Sequence, residues 1–307
     1  MPRNMVYSVP LNHDDANEYV RVRRDLEVVG ARGVGMVAYE FPNNEQSREF
    51  FRSVIGKSGS GLEPAIESFL RESNLNESFL ENIICNMLEL DRAQRIGLVS
   101  GVYPIDIDHN AAGHGRLGDA FVAAALREAE REERVWKAIA GAEPFGKVAL
   151  AIKSHLIAHY DVMEIRNLEM ARQIEELLGK DDGSLVLMTG ATHIPGIREV
   201  LRRDNVSVAD VEDPRAVTGI WWLAYSAMND AKGLEGSRKI SGSISKYALL
   251  ISINTLRSGV GGSSVTAQEI EDVRVVKTPE DAERRYEEAQ RYYRNEFESS
   301  LPILRRD

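Results

Sequence analysis

The 307-residue chain is poor in cysteine, in long apolar runs and in basic charge, and each shortage excludes something. Cys85 stands alone, within the apolar stretch IICNML, so no disulfide can close inside the chain and a four-cysteine metal cluster is impossible. That usage fits the cytoplasm best. No window approaches the roughly 18 consecutive apolar residues of a membrane-spanning helix. The opening MPRNMVYSVPLNHDD lacks the apolar core of a secretory signal, so no membrane insertion is expected. Lys and Arg number 38 against 48 Asp and Glu, a net charge of −10, which disfavours a general nucleic-acid or anionic-membrane binder. No internal repeat emerges. The tripeptides Asn76-Glu77-Ser78 and Asn205-Val206-Ser207 carry no weight as glycosylation acceptors without a secretory context.

What is present reads as an α/β fold, a central sheet built from β-α-β units. An apolar run Met5 to Leu11, a helix from about Asp14 to Val29 and the strand Gly35 to Phe41 make the first unit, with His13 and Glu40 following or ending neighbouring strands. The carboxyl ends of parallel strands share the edge where ligands usually bind. From about Asn44 to Gln94 the pattern is helical, with GKSGSG as a loop. Arg95 to Asp108 returns to strand character and ends on Asp106 and Asp108, two residues apart and so on one strand face. Long helices follow over about Leu117 to Ala140 and Phe145 to Leu178. SLVLMTGATH is then a strand and corner, PGIREVLRR a short helix with Pro195 in its first turn, and VSVADVED a further strand. Beyond Pro214 come a helix around GIWWLAYSAM, a strand-like or helical YALLISI, a linker SGVGGSS, and a helix capped by Thr278 with Pro279 at its first position.

Several motifs invite chemistry, and most fail on context. GKS at Gly56 to Ser58 has Phe51 where a phosphate loop needs glycine, and a helix where it needs a strand. GARGVG at Gly30 to Gly35 precedes a strand instead of following one, so a helix stop is the better account. HLIAH places His155 and His159 on one helix face, yet Leu156 stands where the zincin pattern has its catalytic Glu. His109 and His114 flank a glycine-rich loop that reads as a polar loop with capping aspartates. His193 differs, because Gly190 lets backbone approach closely at an apolar strand end, and a neutral imidazole offers both a donor and an acceptor.

Taken together, four features resemble the TraB and Tiki family, part of a broader group with the erythromycin esterase and ChaN-like proteins. They are His13 after the first strand, Glu40 ending the second, R-N-x-x-M-A at Arg166 to Ala171, and G-A-T-H-I-P-G-I at Gly190 to Ile197. The likeness runs in order over about residues 5 to 212. Pro10 stands where the first family G-x-x-H has glycine, and Ile165 where an acidic residue commonly precedes the helix arginine. The resemblance implies an α/β domain over 1–213 with a large helical insertion at about 44–180, and a C-terminal helical extension over 214–307 packing on the core. It also implies hydrolysis: Tiki members are regarded as metal-dependent proteases, TraB members are linked with shutdown of peptide pheromone signalling, and erythromycin esterases open a lactone.

On that footing His13, Glu40 and His193 are expected to hold a divalent ion (manganese, cobalt or zinc). Glu40, Arg166 and His193 are expected to be catalytic, with Arg166 stabilising an oxyanion, and Asn167 and Asp106 to contact a peptide or small-molecule substrate. Two alternatives stay open: a metal-independent, esterase-like site in which Glu40 orients a histidine, and a non-catalytic binding protein on the same fold. A homo-oligomer is also left open.

Overall fold

The computed structural model describes residues 4–12, 18–57, 61–72, 80–107, 116–179, 183–215, 221–258 and 273–304. Within them the chain is α/β, with strands β1 (Met5–Leu11), β2 (Met36–Pro42), β3 (Gly101–Asp106), β4 (Ser184–Gly190) and β5 (Ser207–Asp210). Ten helices accompany them among the described residues: α1 (Glu18–Gly30), α2 (Glu45–Ser53), α3 (Leu62–Glu72), α4 (Leu80–Arg95), α5 (Arg116–Ala140), α6 (Phe145–Leu178), α7 (Ile194–Arg203), α8 (Trp221–Gly233), α9 (Gly242–Ser258) and α10 (Pro279–Leu304). The large helical insertion is present as expected. It is interrupted by β3, which occupies one edge of the sheet.

All strands are parallel, in the order β3-β2-β4-β1-β5. The chain therefore steps in one direction from β1 through β2 to β3, then reverses through β4 to β5. Crossovers of one hand must change face when they change direction, and the two buried layers follow that rule. Val9, Leu11, Val37, Tyr39, Val186 and Met188 pack on one face against α1 to α4. Val6, Met36, Ala38, Leu185 and Leu187 pack on the other against Met170, Ile174 and Leu177 of α6 and Ile197 and Leu201 of α7. This alternation is the two-residue period of a strand buried on both sides, which is why these strands read as nearly unbroken apolar runs. The order also corrects one expectation. β1 and β2 are not neighbours, because β4 lies between them, so the corner after β4 lies beside the strand end that carries Glu40.

The Pro10 departure has a local explanation. Along a parallel strand the N–H and C=O of one residue point to the same neighbour. Ser8 O accepts from Val211 N at 2.9 Å on the β5 side, and Leu11 O accepts from Ala191 N at 3.1 Å on the β4 side. Pro10 shares the parity of Ser8, and β5 pairs with β1 only as far as Ser8, so no ladder partner is lost to the missing N–H. Its carbonyl accepts instead from Arg21 Nη2.

The expected helices hold closely, and YALLISI is resolved as helical within α9. Asp281 N donates to Thr278 Oγ1 at 3.2 Å, confirming that cap. The phosphate-loop reading stays excluded: α2 precedes Gly56, whose N–H is given to Asp91 Oδ1 at 2.7 Å. GARGVG is a helix stop, with Gly33 at φ 77°. The third acidic strand ends on Asp106, while Asp108, His109, His114 and the SGVGGSS linker beyond its first residue, Ser258, lie outside the described residues.

By contact density the chain divides into two compact units, residues 1–121 with 163–219 and residues 122–162 with 220–307. The first holds the whole sheet. The second groups the C-terminal helices with the C-terminal part of α5 and the N-terminal half of α6: Tyr286 of α10 donates to Glu143 O at 3.0 Å, and the buried Lys153 of α6 donates to the carbonyls of Leu234, Ser237 and Lys239 at 2.7, 2.8 and 3.0 Å. Among the described residues no helix is long and apolar enough to cross a membrane.

Candidate functional site at the carboxyl edge of the sheet

The reversal in strand order lies between β2 and β4. From the end of β2 the chain turns to α2 on one face, and from the end of β4 to α7 on the other, which opens the sheet edge at that point. Glu40 and His193 stand on either side of it.

Glu40 is fixed from two directions. Its Oε2 accepts from Thr189 Oγ1 at 2.7 Å and from Gly190 N at 2.5 Å, both at the end of β4. Its Oε1 accepts from Arg166 Nη2 at 2.6 Å. Arg166 reaches in from α6 and also grips Asp106 at the end of β3, with Nη2 to Oδ2 at 2.5 Å and Nε to Oδ1 at 3.1 Å. Asp106 Oδ1 takes the N–H of Ile107 at 2.7 Å as well. Burial works against the Arg166 charge, but Asp106 and then Glu40 outweigh it and hold the guanidinium above its ordinary pKa. One guanidinium facing two carboxylates leaves this cluster with a single net negative charge.

His193 is buried at the N-cap of α7 and makes no side-chain capping bond. Its Nδ1 lies 2.7 Å from Asn167 Oδ1, one residue beyond Arg166 on α6, and its Nε2 lies 3.4 Å from Glu40 Oε1. A carbonyl oxygen can only accept, so Nδ1 carries its proton toward Asn167, and in a neutral ring Nε2 is then the acceptor. Gly196 makes room for this: a Cβ there would lie 2.2 Å from Asn167 Nδ2.

The structure thus brings together Glu40, Asp106, Arg166, Asn167 and His193 of the expected set, while His13 lies outside the described residues. Asn167 is engaged with the imidazole and Asp106 with the guanidinium. Asn167 and Glu40 thus stand at opposite nitrogens of the His193 ring. Thr189, Gly190 as a backbone donor, and Gly196 were not foreseen as site residues. Their signal was available only as a Thr-Gly pair ending a buried strand and a glycine one turn into the next helix. His155 and His159 form a stacked pair 6.2 Å between centroids, in which His159 Nδ1 meets Glu128 Oε1 at 2.6 Å. Among the described residues no group of three or more His, Cys, Asp or Glu is disposed to hold a metal.

Beside the cluster opens a cleft of about 630 Å³, with Asp106 in its wall and Asn43, Arg48, Arg116, Glu169 and Arg172 among its lining. Asn43 N donates to Asp106 O at 2.9 Å, tying the rim to the end of β3. Compared with family models, curated proteins and solved structures, the chain matches none.

Proposed function

We propose that the chain is a hydrolase of the TraB and Tiki type, a metal-dependent peptidase acting on peptides. The observation that carries this reading is the 3.4 Å approach of His193 Nε2 to Glu40 Oε1, beside a cluster of net negative charge. With Nδ1 protonated toward Asn167, a neutral His193 turns a lone pair toward a carboxylate oxygen. Two acceptors that close repel unless a proton or a cation lies between them.

An imidazole nitrogen and a carboxylate oxygen are donors that zinc, manganese or cobalt accept, so His193 and Glu40 suit a divalent ion. His13 would complete the set. Bound there, such an ion would supply a water of lowered pKa. The chain's own groups support the rest. Glu40 has committed Oε2 to Thr189 and Gly190, so Oε1 is the oxygen turned to His193. Arg166 makes no hydrogen bond through Nη1 among the described residues, which leaves it a donor for an oxyanion developing on a scissile carbonyl. Asn167 holds the imidazole in the tautomer the site requires.

The same contact favours one other reading. If His193 is protonated, its Nε2–H and Glu40 form an ion pair, and the site is a metal-independent, esterase-like hydrolase that works through this His/Glu pair. Metal content of the purified protein, followed by hydrolysis of a peptide library with and without chelator and with manganese, cobalt or zinc restored, separates the two. We expect chelation to abolish turnover and His193→Ala to lower it by about a hundredfold or more. Chelator-resistant ester hydrolysis would transfer the conclusion to the second reading, and an unchanged rate in His193→Ala would sink both.

A further inference from the structure

We infer that the cleft beside Asp106 binds the terminal carboxylate of a short peptide, through Arg48 and Arg116. Its volume, about 630 Å³, lies in the range of small-molecule pockets. Three guanidiniums line it, but they are not equivalent. Arg172 is committed to carboxylates, reaching Glu169 at 2.5 Å and also pairing with Glu176. Among the described residues Arg48 donates only to Asn43, to its Oδ1 at 2.9 Å and its backbone oxygen at 3.4 Å. Arg116 has no ion-pair or hydrogen-bond partner among the described residues, and it stands at the first position of α5. Two arginines from different helices therefore face one cleft with their charge unmet, and an arginine fork matches a carboxylate geometrically.

The remaining lining decides which anion. Glu45, Glu169 and Asp106 also border the cleft, so a dianionic phosphate meets about twice the repulsion of a singly charged carboxylate. Those carboxylates also offer acceptors to peptide N–H groups, which a free inorganic ion lacks. Asp106 belongs to both places: it borders the cleft, and it grips the guanidinium that holds Glu40. A peptide anchored by its end in the cleft is therefore one ion-paired arginine away from Glu40. The catalytic meaning of the inference, cleavage close to a free carboxyl end, rests on the hydrolase reading, whereas the binding does not.

The test measures binding of N-terminally labelled tripeptides in matched free-acid and C-amidated forms, with inorganic phosphate as competitor. We expect the free acids to bind about tenfold or more tightly than the amides. Arg48→Gln and Arg116→Gln are expected to erase that preference while leaving the melting temperature in place, since both side chains are exposed. Equal affinity for acid and amide, no binding of either form, a preference that survives both substitutions, or phosphate displacing at lower concentration than the acids would each overturn the inference. Binding with the expected preference but without turnover would defeat the hydrolase reading alone.

Discussion

His193 and the pair His155 and His159 put the same side chain in two settings. The pair has the better spacing, since residues four apart share a helix face. Yet among the described residues His155 Nδ1 is buried without a hydrogen-bond partner, while the close contact with the Glu128 carboxylate goes to the partly exposed His159. His193 has no such regular neighbour. It has a strand edge instead, where residues far apart in sequence converge: Asn167 on one ring nitrogen, Glu40 near the other, and behind Glu40 an arginine and a second carboxylate. The difference teaches that helical spacing can place two imidazoles side by side, but the convergence of strand ends is what orients one.

If that convergence is what separates the two settings, removing its hub has the largest effect. Arg166→Met would leave Glu40 and Asp106 facing each other without their common cation, and breaking a buried pair typically costs about 3–5 kcal/mol. The side chain is 20% exposed, so the low end, about 3 kcal/mol, is expected in urea unfolding. Removing His159, whose contact with Glu128 is partly exposed, should cost less than about 1 kcal/mol. Equal losses would erase the distinction between the two places.

A smaller change sharpens it. Gly196→Ala sets a methyl 2.2 Å from Asn167 Nδ2, and Asn167 must move away from His193. The expected result is loss of the Nδ1-protonated signature in nitrogen NMR of the imidazole, and Asn167→Ala should give the same spectrum. The double variant should add little to either, because both act through one contact. A retained Nδ1–H signal in Gly196→Ala would remove Asn167 from its positioning role.

These residues also mark how far the sequence is legible. β1, β2 and β4 read plainly, because strands buried on both faces are almost wholly apolar, and α6 reads from its helical period and flanking breaks. Glu40, Arg166 and His193 were suspected as strand-end or motif residues. What was not legible is adjacency. Sequence order suggests that β1 and β2 are neighbours, and only the crossover past β4 places Thr189 and Gly190 on Glu40. The grip of Arg166 on Asp106 spans two helices and an edge strand, and no local pattern encodes it. Nor does any period reveal that Gly196 clears space for Asn167, since a helix-start glycine has many other reasons to exist.

The smallest expected effect concerns the other setting. Burial first, and His159 second, lower the pKa of His155, against the opposing pull of Glu128 and Glu132. The unfolded chain takes up a proton at His155 near its ordinary value of about 6.5, while the folded chain does so only at lower pH. Stability from this group is therefore fully present above about pH 6.5 and is lost as pH falls toward the lowered folded value. His155→Leu keeps much of the side-chain volume and removes the proton uptake, so its melting temperature should fall less steeply than that of the parent between about pH 7 and pH 5. Parallel slopes would mean that His155 is protonated in the folded state as readily as in the unfolded one. The contrast with His193 would then rest on hydrogen bonding alone, since burial would no longer distinguish the two.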